Sequence, residues 1–117
     1  MSIYSELILD HHKNPRNFGK VNQPTKTVKI SNPLCGDEIE LSVKIVKDKV
    51  NEVKFLGRGC AISMASASML TEYLKGKSKH ELQKIDKKFI INMLGIELGV
   101  NRIKCALLPL EALKKLL

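Results

Sequence analysis

Three cysteines and one aspartate are the residues of this chain whose types and spacing could do chemistry. Cys35 lies in Asn32-Pro33-Leu34-Cys35-Gly36-Asp37, Cys60 in Gly57-Arg58-Gly59-Cys60-Ala61, and Cys105 in Arg102-Ile103-Lys104-Cys105-Ala106. An odd number of cysteines makes a poor disulfide framework, and no two of them form a local CxxC pair. Three thiolates and the carboxylate of Asp37 are a complete tetrahedral donor set, provided the fold gathers them. The separations, 24 residues between the first two cysteines and 44 between the last two, do not match a zinc finger. Two other readings stay open on spacing alone: each cysteine as a small buried hydrophobe, or one of them as an activated thiolate. His11, His12 and His80 stand in no cysteine-protease signature, and each reads as a polar residue of a helix face.

The elements around these motifs decide whether they can meet. Tyr4, Leu7, Ile8 and His11 follow helical spacing, with Ser2 as a cap. Asn14-Pro15 ends that helix, because the residue before proline is pushed out of the helical region. Residues 14–26 read as a loop. Strands are expected over Thr27–Ser31, Glu38–Val46 and Val50–Leu56, with Lys47-Asp48-Lys49 as a hairpin link that lacks glycine. A helix opens at Cys60 with a stripe of Ile62, Met69, Leu70, Tyr73 and Leu74, and Gly76 is the expected C-cap. Ser78 and Glu81 have the spacing of a capping box for a second helix reaching Leu82 and Ile85. A third covers Lys87–Leu94. The last helix is expected to start between Lys104 and Ala106, where Pro109 sits awkwardly in its first turn. The order is that of an α+β domain: a three-stranded antiparallel sheet with helices packed on one face.

On this reading Cys35 sits in a loop, while Cys60 and Cys105 each open a helix. Unpaired N–H groups at a helix start favour thiolate over thiol, and Arg58, Arg102 and Lys104 add positive charge nearby. Gly36 and Gly59 leave room for a bulky ligand or an approaching partner.

Length and composition bound the remaining possibilities. A chain of 117 residues with 44% hydrophobic and 27% charged residues is one ordinary globular domain. Its net charge of +8 invites a nucleic-acid reading, but aromatics are 4% and there is no tryptophan. Solvated lysine faces, or attraction of an acidic protein partner, account for the charge. No apolar run approaches the roughly 20 residues needed to cross a bilayer. The N-terminus lacks the basic and apolar regions of a secretory signal, so a reducing cytoplasmic setting is expected.

Taken together, the motifs resemble the IscU/SufU/NifU N-terminal family of iron–sulfur cluster assembly scaffolds. The resemblance spans essentially the whole chain, read as one NifU-like domain over residues 1–117. It is carried by Asp10-His11-His12-Lys13-Asn14-Pro15-Arg16-Asn17, by Asn32 to Asp37, by Gly59 to Ser68, by Lys75-Gly76-Lys77, and by Arg102 to Ala106. Lys104 stands where IscU-type proteins carry a histidine, and Leu98 to Arg102 does not match their Leu-Pro-Pro-Val-Lys motif. Both features place the chain nearer the SufU type and argue against a dedicated Hsp70-type chaperone as partner. The insertion usual in SufU between the second and third cysteines is missing, so the chain is a hybrid.

The resemblance implies a SufE/NifU-like fold in which Cys35, Asp37, Cys60 and Cys105 converge. They would bind zinc in the resting protein and a [2Fe–2S] cluster transiently. Sulfur would arrive as a persulfide from a pyridoxal-phosphate cysteine desulfurase of the SufS/IscS kind, and clusters would leave to downstream iron–sulfur acceptor proteins. Cys35, a loop thiol, is the expected sulfur acceptor, with Cys105 second. Asp37 is the weaker, exchangeable ligand, and Lys104 is expected to support the Cys105 thiolate electrostatically. The protein is then a non-enzymatic scaffold. The alternative is a zinc-dependent sulfurtransferase that hosts no cluster. Neither nucleic acid nor a membrane is an expected partner.

Overall fold

The computed structural model describes residues 3–33 and 36–117. Among these, the order is α1 (Ile3–Lys13), β1 (Lys26–Ser31), β2 (Glu38–Val46), β3 (Lys49–Arg58), α2 (Ala61–Leu74), α3 (Lys79–Gln83), α4 (Lys87–Leu94) and α5 (Val100–Leu116). The strands form one antiparallel sheet in the order β1-β2-β3. Alternation along the strands puts Ile39, Leu41, Val43, Val53 and Phe55 on one buried face, with Val28 and Ile30 packed against them. Helices α2 and α5 cover that face. The other face carries Lys29, Glu38, Glu40 and Arg58, where Glu38 pairs with both Lys29 and Arg58.

The β2–β3 hairpin turns on two residues, Lys47 and Asp48, since Val46 pairs with Lys49. Both take positive φ, 52° and 66°, as a type I′ turn requires. Asparagine or glycine is usual there; here the paired strands hold a lysine and an aspartate in the left-handed region instead. The capping box at Ser78 and Glu81 forms as the spacing predicts, and α4 has the predicted bounds, with Asp86 as N-cap and Gly95 in the left-handed C-cap conformation. Gly76 also has positive φ, but its N–H bonds to the Val50 carbonyl of β3 rather than capping α2.

The segment after α1 knots three elements together. The Arg16 side chain pairs with Asp10, and its backbone N–H donates to Ser68 Oγ at 2.8 Å. The Asn17 side chain donates to Thr71 Oγ1 and to Glu72, while its carbonyl accepts from the Phe55 N–H of β3. His11, 8% exposed, places Nδ1 at 2.7 Å from the same Ser68 Oγ. His11 therefore belongs to the buried seam between α1 and α2, not to a polar surface.

Burial is the main influence holding the His11 imidazole below its usual pKa, and the neighbouring Arg16 charge acts in the same direction. A folded-state value below the unfolded one means that stability is complete above about pH 6.5. It is lost as the pH falls through the folded value. The melting temperature of metal-free protein is expected to decline from pH 7 towards pH 5, with a shallower decline in His11→Gln. Identical slopes in the two proteins would rule out this contribution.

Candidate metal centre

Asp37, Cys60 and Cys105 meet at one end of the sheet. One carboxylate oxygen and the two sulfurs lie within 4.8 Å of one another. Each comes from a different element. Asp37 immediately precedes β2, Cys60 is the N-cap of α2, and Cys105 is in α5. The backbone around Asp37 is fixed by two bonds: the Asn32 N–H to the Asp37 carbonyl and the Gly36 N–H to the Asn32 carbonyl, both 2.8 Å. Cys35, predicted as the fourth ligand and the sulfur acceptor, lies outside the described residues.

The Asp37 side chain is 4% exposed, and its Oδ2 has no hydrogen-bond partner among the described residues. A buried carboxylate oxygen left unpaired costs on the order of 1–3 kcal/mol or more, and a cation removes that cost. Donors 2.0–2.3 Å from a tetrahedral zinc stand about 3.3–3.8 Å apart. The three atoms, within 4.8 Å of one another, therefore need to close by about 1.5 Å at most. The donor set, two thiols and a carboxylate, fits a thiophilic divalent metal. Glu38, next in sequence, is held elsewhere. Its hydrogen bond to Lys29 and the nearby Arg58 charge keep its carboxyl below the usual range.

Cys60 is partly exposed and Cys105 is 8% exposed; both are thiols rather than halves of a disulfide. The helix-start position predicted for Cys60 is observed. For Cys105 it is not: α5 begins at Val100, with Gly99 as N-cap, so Cys105 is the sixth residue of a 17-residue helix. Its N–H is past the four unbonded donors of the first turn, and the helix-start argument for its thiolate does not apply. The awkward placing of Pro109 in a first turn is resolved by the earlier start: it stands well inside α5. Lys104 and Arg102 are both exposed.

Two further residues complete the site. A Cβ on Gly59 would lie 2.7 Å from both Cγ and Oδ1 of Asp37 and 2.6 Å from Ser63 Oγ. Gly59 is thus the gap into which the Asp37 carboxylate fits. Ser63, fully buried, donates to the Cys60 carbonyl at 3.1 Å and lies 3.7 Å from Cys60 Sγ. Both residues stand in the sequence beside Cys60, but their role depends on Asp37, distant in the chain, so no local pattern announces it. The histidines take no part: His11 is committed to Ser68, while His12 and His80 are exposed.

A three-stranded antiparallel sheet covered by helices, with a carboxylate and two thiols at its end, defines a class of small thiolate-site domain. The chain belongs to the NifU-like N-terminal domain family, whose model matches residues 3–117. It is 42% identical over 131 residues to the zinc-dependent sulfurtransferase SufU of Bacillus subtilis (strain 168), covering 97% of this chain and 88% of that protein. The aligned length exceeds the 117 residues of this chain, so it includes segments of the relative that have no counterpart here. It is also 34% identical over 113 residues to the iron–sulfur cluster assembly scaffold protein IscU 1 of Archaeoglobus fulgidus, covering 97% of this chain and 73% of that protein. The crystal structure of FiSufU from Fervidobacterium islandicum AW-1, described as a SUF-system scaffold for iron–sulfur cluster assembly, superposes with a TM-score of 0.82. Identity is 34%, with 97% of this chain and 95% of that one covered.

The contact at Gly59 yields a direct test. Gly59→Ala is expected to displace the Asp37 carboxylate and weaken zinc binding by about 10–100-fold, as loss of a ligand's supporting shell typically does. Competition titration against a chromophoric chelator measures this. Unchanged affinity would mean that Asp37 is not a ligand or that its position is not set by Gly59.

Proposed function

We propose that this protein is a scaffold on which a [2Fe–2S] cluster is assembled and from which it is passed to acceptor proteins. The observation that carries the reading is the buried Asp37 carboxylate, one oxygen of which has no partner among the described residues, grouped with the thiols of Cys60 and Cys105. Cys35, two residues before Asp37 in the sequence, completes a Cys3Asp donor set in this reading. In the resting protein these residues would hold zinc, which when bound keeps the thiols deprotonated and ties three elements together. A carboxylate among thiolates suits a site that must release its cargo, because the harder oxygen donor is the more readily exchanged.

Sulfur is taken in by the thiolate of Cys35, which attacks the outer sulfur of a persulfide on a cysteine desulfurase. The S–S bond breaks, the donor cysteine leaves as thiolate, and the sulfur stays on Cys35 as a new persulfide. Reduction of each such sulfur to sulfide takes two electrons from an external reductant. The burial of Cys105 counts against it as the entry thiol, and Cys60 is the more accessible of the two.

A second reading is favoured by the 42% identity to a zinc-dependent sulfurtransferase and by Lys104. Here the site keeps zinc and one thiolate shuttles sulfur without building a cluster. Anaerobic reconstitution with iron, sulfide and a desulfurase separates the two. The scaffold predicts a visible chromophore that survives desalting. The transferase predicts stimulation of desulfurase turnover by the zinc form with no chromophore, and that result would overturn the scaffold.

Metal removal tests what both readings share. A ligand present at a thousand times its Kd stabilises the folded state by about 4 kcal/mol, which in a domain of this size is a melting shift on the order of 10–20 °C. Chelation, checked by metal analysis, is expected to lower the melting temperature accordingly. An unchanged transition after verified removal would exclude a structural contribution from the metal.

A further inference from the structure

Ser66 lies outside the ligand cluster, yet it links the two helices that carry the cysteines. Its hydroxyl is fully buried and donates to the Ala106 carbonyl of α5 at 2.7 Å. Ala106, also fully buried, is the residue after Cys105. Ser66 stands six positions along α2 from Cys60, the N-cap of the same helix. One hydrogen bond therefore ties the helix that begins at one thiol to the backbone beside the other.

Pro109 stands in the same stretch of α5. In an α-helix residue 109 would donate to the carbonyl of residue 105; proline has no N–H, and its ring crowds that carbonyl. The helical ladder of α5 therefore lacks that one bond beside Ala106. Ser66 supplies a donor from the neighbouring helix to the next carbonyl along. Helix α2 packs directly against α5 there, and Ala65 and Ala67 on either side of Ser66 are both buried.

We propose that Ser66 is a positioning residue for the metal site, fixing Cys105 relative to Cys60 through the Ala106 carbonyl. The proposal rests on the reading of Asp37, Cys60 and Cys105 as metal ligands. Without the strut, the α5 turn shifts relative to α2 and the two sulfurs lose their shared geometry. The buried hydroxyl of Ser68 provides the contrast. It belongs to the same helix but bonds to Arg16 and His11 on the α1 side, so its loss destabilises the domain without touching α5.

Anaerobic titration of the metal-free protein with Co2+, read by visible ligand-field absorption, tests this. Ser66→Ala is expected to lower Co2+ affinity by about tenfold or more and to alter the ligand-field bands. Ser68→Ala, despite a comparable fall in melting temperature, is expected to leave both unchanged. Ser66→Thr keeps the hydroxyl and should bind Co2+ like the wild type, although its extra methyl lowers stability. Wild-type affinity and bands in Ser66→Ala, or equal losses in Ser66→Ala and Ser68→Ala, would overturn the positioning role. Failure of the wild-type protein itself to bind Co2+ would instead overturn the metal-site reading on which it rests.

Discussion

The enclosure of α2 is the constraint on which the rest of the structure depends. From Ile62 to Thr71 every residue of that helix is buried, with α1, α4, α5 and β3 packed around it. A helix walled in on all sides must be slim, and Ala65, Ser66, Ala67 and Ser68 make it so. It must also satisfy every polar group internally. Ser63 donates to the Cys60 carbonyl and Ser66 to Ala106; Ser68 accepts from the Arg16 N–H; Thr71 donates back to the carbonyls of Ala67 and Ser68. The hydroxyls act as fasteners between the helix and its neighbours. Cys60 inherits its position from this arrangement, being the N-cap of the most constrained element in the molecule.

The sheet was legible in the sequence because β2 alternates cleanly, and its bounds match the expectation over Glu38–Val46. The capping box at Ser78 and the glycine stop of α4 were equally local signals. What failed were features set by tertiary context. Tyr73 has the spacing of a core residue yet is 39% exposed, with its ring against Phe89 and beneath Lys77. Helix α5 starts at Val100, before the expected Lys104 to Ala106, and packing against α2 and the sheet sustains it across Pro109. The left-handed pair Lys47 and Asp48 carries no glycine to announce it. Cys60 and Asp37 could be nominated from residue type and Cys105 from its motif, but their meeting depends on the Gly59 gap and the Ser66 bond. Both lie between segments far apart in the chain.

The site joins rigidity and exchange in one place. Two of its donors are anchored on long helices and the third lies on a short loop pinned by backbone bonds. The protein thus holds two thiols beside a buried carboxylate whose Oδ2 has no hydrogen-bond partner among the described residues. In the scaffold reading proposed above, a cation would relieve that oxygen and the single hard donor would limit how tightly a soft cargo is kept. The ion pairs of Glu38 with Lys29 and Arg58 are exposed and add little to stability. They engage the Glu38 carboxylate on the face of the sheet away from α2 and α5.

The segment at Asn17 to Gly19 also settles how the sheet meets other molecules. The Phe55 N–H of β3 donates to Asn17, the Gly19 N–H donates to the Phe55 carbonyl, and the Phe18 ring lies edge-on to that of Phe55. An outer strand with unsatisfied backbone groups is a template for uncontrolled pairing between chains. Here the β3 margin is capped by the protein's own backbone, and the opposite margin, β1, carries the exposed lysines 26 and 29. Both margins of this small sheet are thereby guarded against strand-to-strand aggregation.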